Sequence, residues 1–114
     1  MGRKVLDSWA VMAYVRGEHP AYDRVLDLFG AAAAGDLDLL MSMIDVRDLS
    51  SLRVHTVVLN RNLILDAARW KARAPISYAD AFAVATAIEQ KAELVTGDPE
   101  LKRFRGQFVD WIGR

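Results

Sequence analysis

Residues 3–15 read RKVLDSWAVMAYV, and the order of residue types along them decides the architecture. Its first five residues run from charged to apolar and end on Asp7. Beyond Asp7-Ser8, the apolar residues Trp9, Val11, Met12 and Val15 recur at mostly helical spacing, and Gly17 with His19-Pro20 stops the helix. A strand over 3–7 therefore hands over directly to a helix, with a carboxylate at the junction. A related junction stands near the other end, where ELVTGDPELKRFR (93–105) reads as a strand over 93–96, followed by a turn and a short helix through Gly97-Asp98-Pro99. Working inward, the pattern predicts a helix over 23–34, a buried strand over 37–43, a short helix over 44–52 and an extended segment over 54–59. A helix over 63–73 follows, ended by Pro75, then an alanine-rich helix over 77–91, and a last strand falls at 108–112. Strands that alternate with helices imply an α/β fold around a mostly parallel sheet.

A chain of 114 residues suits one domain, 1–114, and no Pro-, Gly- or Ser-rich linker divides it. With 53% hydrophobic and 26% charged residues it has enough apolar surface for a core, which excludes a disordered class. The absence of cysteine excludes disulfides and thiolate metal sites and makes a reducing cytoplasm the simplest location. The first residues have too short an apolar run for a signal peptide, and no stretch approaches the roughly 20 apolar residues of a membrane span. Net charge is zero but uneven: residues 1–46 carry 4 Lys/Arg against 7 Asp/Glu, and residues 47–114 carry 11 against 8. Binding to nucleic acid then requires a local basic patch beside an acidic site rather than overall attraction. A plain solvated surface accounts for the charges equally well.

Four carboxylates stand where such a site would form. Asp7 and Asp98 follow directly on strands, and in open parallel sheets ligands bind beyond the carboxyl ends of strands, where the strand order reverses. Asp80 lies in the first turn of the helix that Ser77 opens, and Asp48 follows the strand over 37–43 by a few residues. Each also has a purely structural reading. Asp7 suits an N-cap, Ser77-Tyr78-Ala79-Asp80 is a variant of the capping box, and Asp98-Pro99 is a normal cap followed by a first-turn proline. Each cap is worth about 1 kcal/mol without any metal. A cluster is a different matter. Carboxylates within about 5 Å raise one another's pKa, so a fold retains them where a cation or a shared proton relieves the repulsion. Mg²⁺ prefers oxygen ligands and suits such a group.

The segments VLDSWAVMAYVRGE (5–18), LLMSMIDVRDL (39–49), PISYADAFAVATAIEQKAELVTGDPELKRF (75–104) and FVDWI (108–112) resemble the PIN domain of the VapC toxins, the ribonuclease halves of type II toxin–antitoxin pairs. The most specific pieces are Ser77–Phe82 and Thr96–Glu100. The resemblance implies a PIN-like three-layer α/β/α fold, Mg²⁺ or Mn²⁺ dependence and cleavage of RNA. It also implies a VapB-like antitoxin that blocks the site, and a homodimer. Position by position, Asp7, Asp80 and Asp98 match family acids and are the expected metal ligands. Asp48 stands where the family usually has Glu, and Asp45 where it often has Asn. Thr96 and Ser8 match polar residues near the metal. The chain departs from the pattern after Asp48. Only Leu49 to Arg53 stand where these toxins usually carry a helical pair, in a region that in the family helps bind the antitoxin and shape the RNA groove.

Together these readings predict an endoribonuclease in which Asp7, Asp80, Asp98 and Asp48 hold Mg²⁺ and activate a water, with Asp98 or Asp48 orienting it. Cations to offset the RNA backbone would come from Arg47, Arg53, Arg61, Arg69, Lys71, Arg73, Lys102, Arg103 and Arg105. The alternative is a catalytically impaired PIN-like module that binds an antitoxin or itself. A phosphoacceptor domain is disfavoured, because no lysine stands at a late strand end. His19 and His55 have no nucleophile nearby in sequence. Trp9, Trp70 and Trp111 read first as core, with Trp9, close to Asp7, the one to examine for exposure.

Overall fold

The computed structural model describes residues 2–42, 55–57 and 60–114. The expected helix over 44–52 and the residues Met43, Asp45, Arg47, Asp48 and Arg53 lie outside the described residues. In chain order the elements are β1 (Gly2–Leu6), α1 (Ser8–Arg16), α2 (Ala21–Ala33), β2 (Leu37–Ser42), β3 (His55–Val57), α3 (Arg61–Arg73), α4 (Tyr78–Glu89), β4 (Glu93–Thr96), a 3-10 helix (Pro99–Phe104) and β5 (Val109–Trp111). The strands form one sheet in the order β3-β2-β1-β4-β5, and every neighbouring pair is parallel.

Period-two alternation along the central strands builds the layers. Val5, Leu40 and Leu94 point to one face of the sheet and pack with Leu63 and Ala67 of α3 and Ala81, Val84 and Ala85 of α4. Their neighbours Leu6, Leu39, Met41 and Val95 point to the other face and pack with Val11 of α1 and Val25, Leu28 and Ala32 of α2. Both faces are covered, so the central strands are near-continuous apolar runs, as a parallel sheet between two helical layers requires. The result is the three-layer α/β/α arrangement. The alanines of α4 let that helix sit close to the sheet and to α3, and Ala81, Ala83, Val84, Ala85, Thr86 and Ala87 are all buried. The buried hydroxyl of Thr86 is satisfied locally by donating to the Phe82 carbonyl at 2.7 Å.

Two helices begin two residues earlier than the apolar spacing indicates. α2 starts at Ala21, directly after Pro20, and α3 starts at Arg61 because Asn60 caps it, its Oδ1 accepting from Leu63 N at 2.8 Å. At the other end of α1, Gly17 takes φ 69° and donates its N–H back to Ala13 and Tyr14, a left-handed cap that suits glycine.

The topology also sets the location of the site. From β1 the chain runs outward through β2 and β3, then crosses back to β4 and β5 on the other side of β1. The order reverses between β1 and β4, and that is where a doubly wound sheet opens a crevice at the carboxyl ends of its strands. Among the described residues no helix is long and apolar enough to cross a membrane.

Candidate metal centre

Asp7 is the residue at which β1 becomes α1. Its N–H donates to the Val95 carbonyl at 3.3 Å, continuing the β1–β4 pairing, while its Oδ1 accepts from Ala10 N at 3.0 Å. The side chain is thus fixed at the positive end of α1, and the residue is 1% exposed. Asp80 is placed by the capping of α4: Ser77 Oγ accepts from Asp80 N at 3.1 Å, and this sets the first turn that buries the carboxyl. Asp98 lies two residues past β4. Its N–H donates to the buried Thr96 Oγ1 at 3.0 Å, and its Oδ1 accepts from Glu100 N at 3.0 Å. Pro99 at the start of the 3-10 helix turns the chain so that Glu100 comes back onto the same point.

These local devices converge. One carboxylate oxygen each from Asp80, Asp98 and Glu100 lie within 4.8 Å of one another. Asp7 is near enough for its charge to act on Asp80 as well. The Asp80 pKa is pushed up to about 8. Burial is the main cause, followed by a hydrogen bond with Glu100 and the charges of Asp98, Asp7 and Glu100. Asp80 Oδ2 is buried and has no hydrogen-bond partner among the described residues. Capping and ligation do not compete here, because a carboxylate has about four lone-pair sites and a cap uses one. An all-oxygen set of like charges, with one buried oxygen unsatisfied, fits a hard divalent cation such as Mg²⁺ or Mn²⁺.

Glycine is required at one point of this frame. A Cβ on Gly97 would lie 2.3 Å from Trp9 Cη2 and 2.8 Å from Gly113 Cα, so only a bare backbone lets the turn carrying Asp98 pass beneath the Trp9 ring. Trp9 itself is half-buried and packs on the α1–α2 core.

The structure brings Asp7, Asp80 and Asp98 together, and it positions Thr96 behind Asp98. Ser8 is half-buried at the first position of α1. Asp48 lies outside the described residues. Glu100 is the member of the group that residue-by-residue reasoning missed, since an acid in a first helical turn has an ordinary dipole explanation. The signal was the spacing Asp98-Pro99-Glu100 directly after a strand. Of the cations suggested by sequence, Arg69 pairs with Asp66, Lys71 lies over the Tyr78 ring, and Lys102 and Arg105 lie over the Trp111 ring. His19 is paired with Asp23 at 2.7 Å on the surface, away from any nucleophile that the sequence suggested.

The PIN domain family model matches residues 30–107, a span that includes Asp80, Asp98 and Glu100. The chain belongs to the PIN domain family. Solved structures carry the same fold at low identity. A toxin–antitoxin complex from Klebsiella pneumoniae is 17% identical with a TM-score of 0.66, over 91% of this chain and 92% of that one. VapBC2 from Rickettsia felis, bound to a DNA fragment from its promoter, is 16% identical with a TM-score of 0.66, over 95% and 97%. VapBC-1 from nontypeable Haemophilus influenzae is 18% identical with a TM-score of 0.61, over 97% of each chain. No curated protein matches the sequence significantly. In this PIN domain Asp7 stands outside the matched span, yet the β1–β4 pairing holds it against the acids inside that span.

Proposed function

We propose that this PIN domain is a Mg²⁺- or Mn²⁺-dependent endoribonuclease and the toxin of a VapBC-type pair. The observation that carries the reading is the meeting of Asp80, Asp98 and Glu100 oxygens within 4.8 Å, together with a buried Asp80 Oδ2 that has no hydrogen-bond partner among the described residues. Carboxylates this close persist where a cation or a shared proton relieves their repulsion, and a divalent ion would take the place of the proton that burial and its neighbours keep on Asp80. Asp7, Asp80 and Asp98 are the proposed metal ligands, with Glu100 beside them and Asp48 a further candidate. When bound, the divalent ion supplies a water of lowered pKa and charge compensation at a phosphodiester.

The chain's own groups do the rest. Asp80 would hold the ion as a carboxylate, without the proton that its surroundings otherwise favour. The Thr96 hydroxyl and the Glu100 N–H hold the Asp98 backbone and carboxylate in one geometry, and Ala10 N holds Asp7. Glu100 is the most exposed of the three clustered acids, and its carboxylate is the proposed acceptor for a proton from the incoming water. The partner proposed to restrain the enzyme is a VapB-like antitoxin, supported by the folds of the Rickettsia and Haemophilus complexes, and the assembly proposed is a homodimer.

The test is cleavage of a structured RNA in Mg²⁺ or Mn²⁺, compared for wild type, Asp7→Asn and Asp80→Asn, each shown by circular dichroism to be folded. The reading expects metal-dependent cleavage by wild type and none by either variant. Activity that survives both substitutions overturns it. Thermal stabilisation by the ion without cleavage would favour the impaired binding module instead.

A further inference from the structure

A cavity of about 530 Å³ opens between the start of α2, the 3-10 helix and the residues that follow β5. Gly97 and Pro99, the two neighbours of Asp98, both line it, so the turn that carries Asp98 forms part of its wall. Its aromatic walls are Trp9 and Trp111. The two indoles flank a pair of glycine backbones in close contact. Gly97 leaves the space that Trp9 occupies, and a Cβ on Gly113 would lie 2.9 Å from Trp111 Cζ2 and 2.9 Å from Gly97 Cα. Lys102 lines the same cavity with its ammonium 5.8 Å from the centre of the Trp111 ring, and Arg114 adds a second cation.

Flat aromatic surfaces, a cation held over one of them and the volume of a small-ligand site make a receptor for a planar base carrying an anion. We propose that this cavity binds one unpaired nucleotide of the RNA strand, its base against Trp9 and Trp111 and its phosphate toward Lys102 and Arg114. This rests on the nuclease reading for the identity of the strand. A base must be free of a duplex to enter, so the cavity selects for single-stranded or looped RNA next to the bond being cut.

The experiment follows tryptophan fluorescence in EDTA at low salt, so that neither metal nor cleavage enters the signal. The probes are adenosine 5′-monophosphate, ribose 5-phosphate and a ribo-oligoadenylate hexamer. The expected result is saturable quenching by the monophosphate and tighter quenching by the hexamer, with ribose 5-phosphate inert at the same concentrations. Lys102→Glu and Arg114→Glu change exposed side chains and should leave the melting curve in place. They should weaken hexamer binding and flatten its log–log salt dependence by about 0.7 for each phosphate contact removed. Trp111→Leu, checked for folding in the same way, should weaken binding at least roughly fivefold through lost stacking. Absence of quenching, equal binding of ribose 5-phosphate, or hexamer affinity unchanged in the charge-reversal variants overturns the proposal. A protein that cuts RNA but shows no quenching keeps the nuclease reading and loses the cavity. One that quenches but does not cut does the reverse.

Discussion

Two charged clusters lie on this sheet, and they are built on opposite rules. Around Asp110 of β5, opposite charges meet. Lys4 of β1 donates to it, Glu93 of β4 lies 3.3 Å from the same ammonium, and Arg24 of α2 reaches it at 3.3 Å. Around Asp80, like charges meet, with Asp98, Asp7 and Glu100 all acting to keep its proton on. The first arrangement ties β1, β4, β5 and α2 together and leaves little charge uncompensated. The second costs stability in the metal-free protein and is left waiting for a cation. The contrast separates acids that serve the fold from acids that serve a ligand, a distinction that neither residue type nor burial makes alone.

The largest expected effect separates the two clusters by activity. Asp80→Asn should lower metal-dependent RNA cleavage on the order of 10²-fold or more, the scale on which one electrostatic group contributes to a transition state. It should also leave the metal-free melting temperature at pH 8 unchanged or higher, because it removes a repulsion. A fall in melting temperature together with retained cleavage would erase the contrast. Asp110→Ala should act the other way round. It takes from Lys4 one of its two acid partners in a partly buried position, leaving Glu93, and should cost about 1–3 kcal/mol in denaturant unfolding, while the divalent ion stabilises the variant as much as wild type.

The pH dependence of the clusters should differ in sign and window. Asp80 has a folded pKa of about 8, above that of an unfolded carboxyl near 4, so its contribution to the metal-free fold is present at low pH and is lost as pH rises from about 4 to about 8. Burial lowers the Lys4 pKa, but the hydrogen bond and charge of Asp110, together with Glu93, outweigh it and leave the pKa raised. The Lys4 contribution is therefore complete below the ordinary lysine value and is lost only as pH climbs through the raised one. Metal-free melting temperatures across pH 5 to 9 should carry a downward component from Asp80 that disappears in Asp80→Asn. The affinity for Mn²⁺ should rise with pH and level off near 8, as one proton gives way to the ion. The smallest effect is expected at Thr96→Val, which removes the acceptor for Asp98 N. A loss of about 1 kcal/mol of stability, with weaker Mn²⁺ binding, would mark Thr96 as a positioning residue.

Much of this was legible in the sequence because each piece had a local cause. The strand-to-helix junction at Asp7 and the strand-to-turn junction at Asp98 named two acids, and a parallel sheet allowed their strand ends to meet, although the pairing of β1 with β4 came only with the structure. Ser77 announced the helix that carries Asp80. The alternation Val5/Leu6 and Leu94/Val95 already encoded a sheet covered on both faces. Less legible were features that depend on distance in space. Glu100 joins the acids only because a 3-10 turn after Pro99 folds it back, and its place in a first helical turn had an ordinary dipole explanation. The clamp on Asp110 draws on residues 4, 24 and 93, and no local pattern relates them. The start of α3 was misplaced by two residues because the apolar spacing begins at Leu63, whereas Asn60 begins the helix.

The contact between Gly97 and Gly113 also governs how the molecule can be handled. Ile112 N donates to the Thr96 carbonyl at 3.0 Å, so the residues after β5 are fastened to the turn that carries Asp98. Any affinity handle or reporter fused behind Arg114 would emerge at the rim of the tryptophan cavity and compete with whatever enters it. Gly2 begins β1 at the opposite end of the parallel strands, so a fusion placed ahead of it leaves that rim clear.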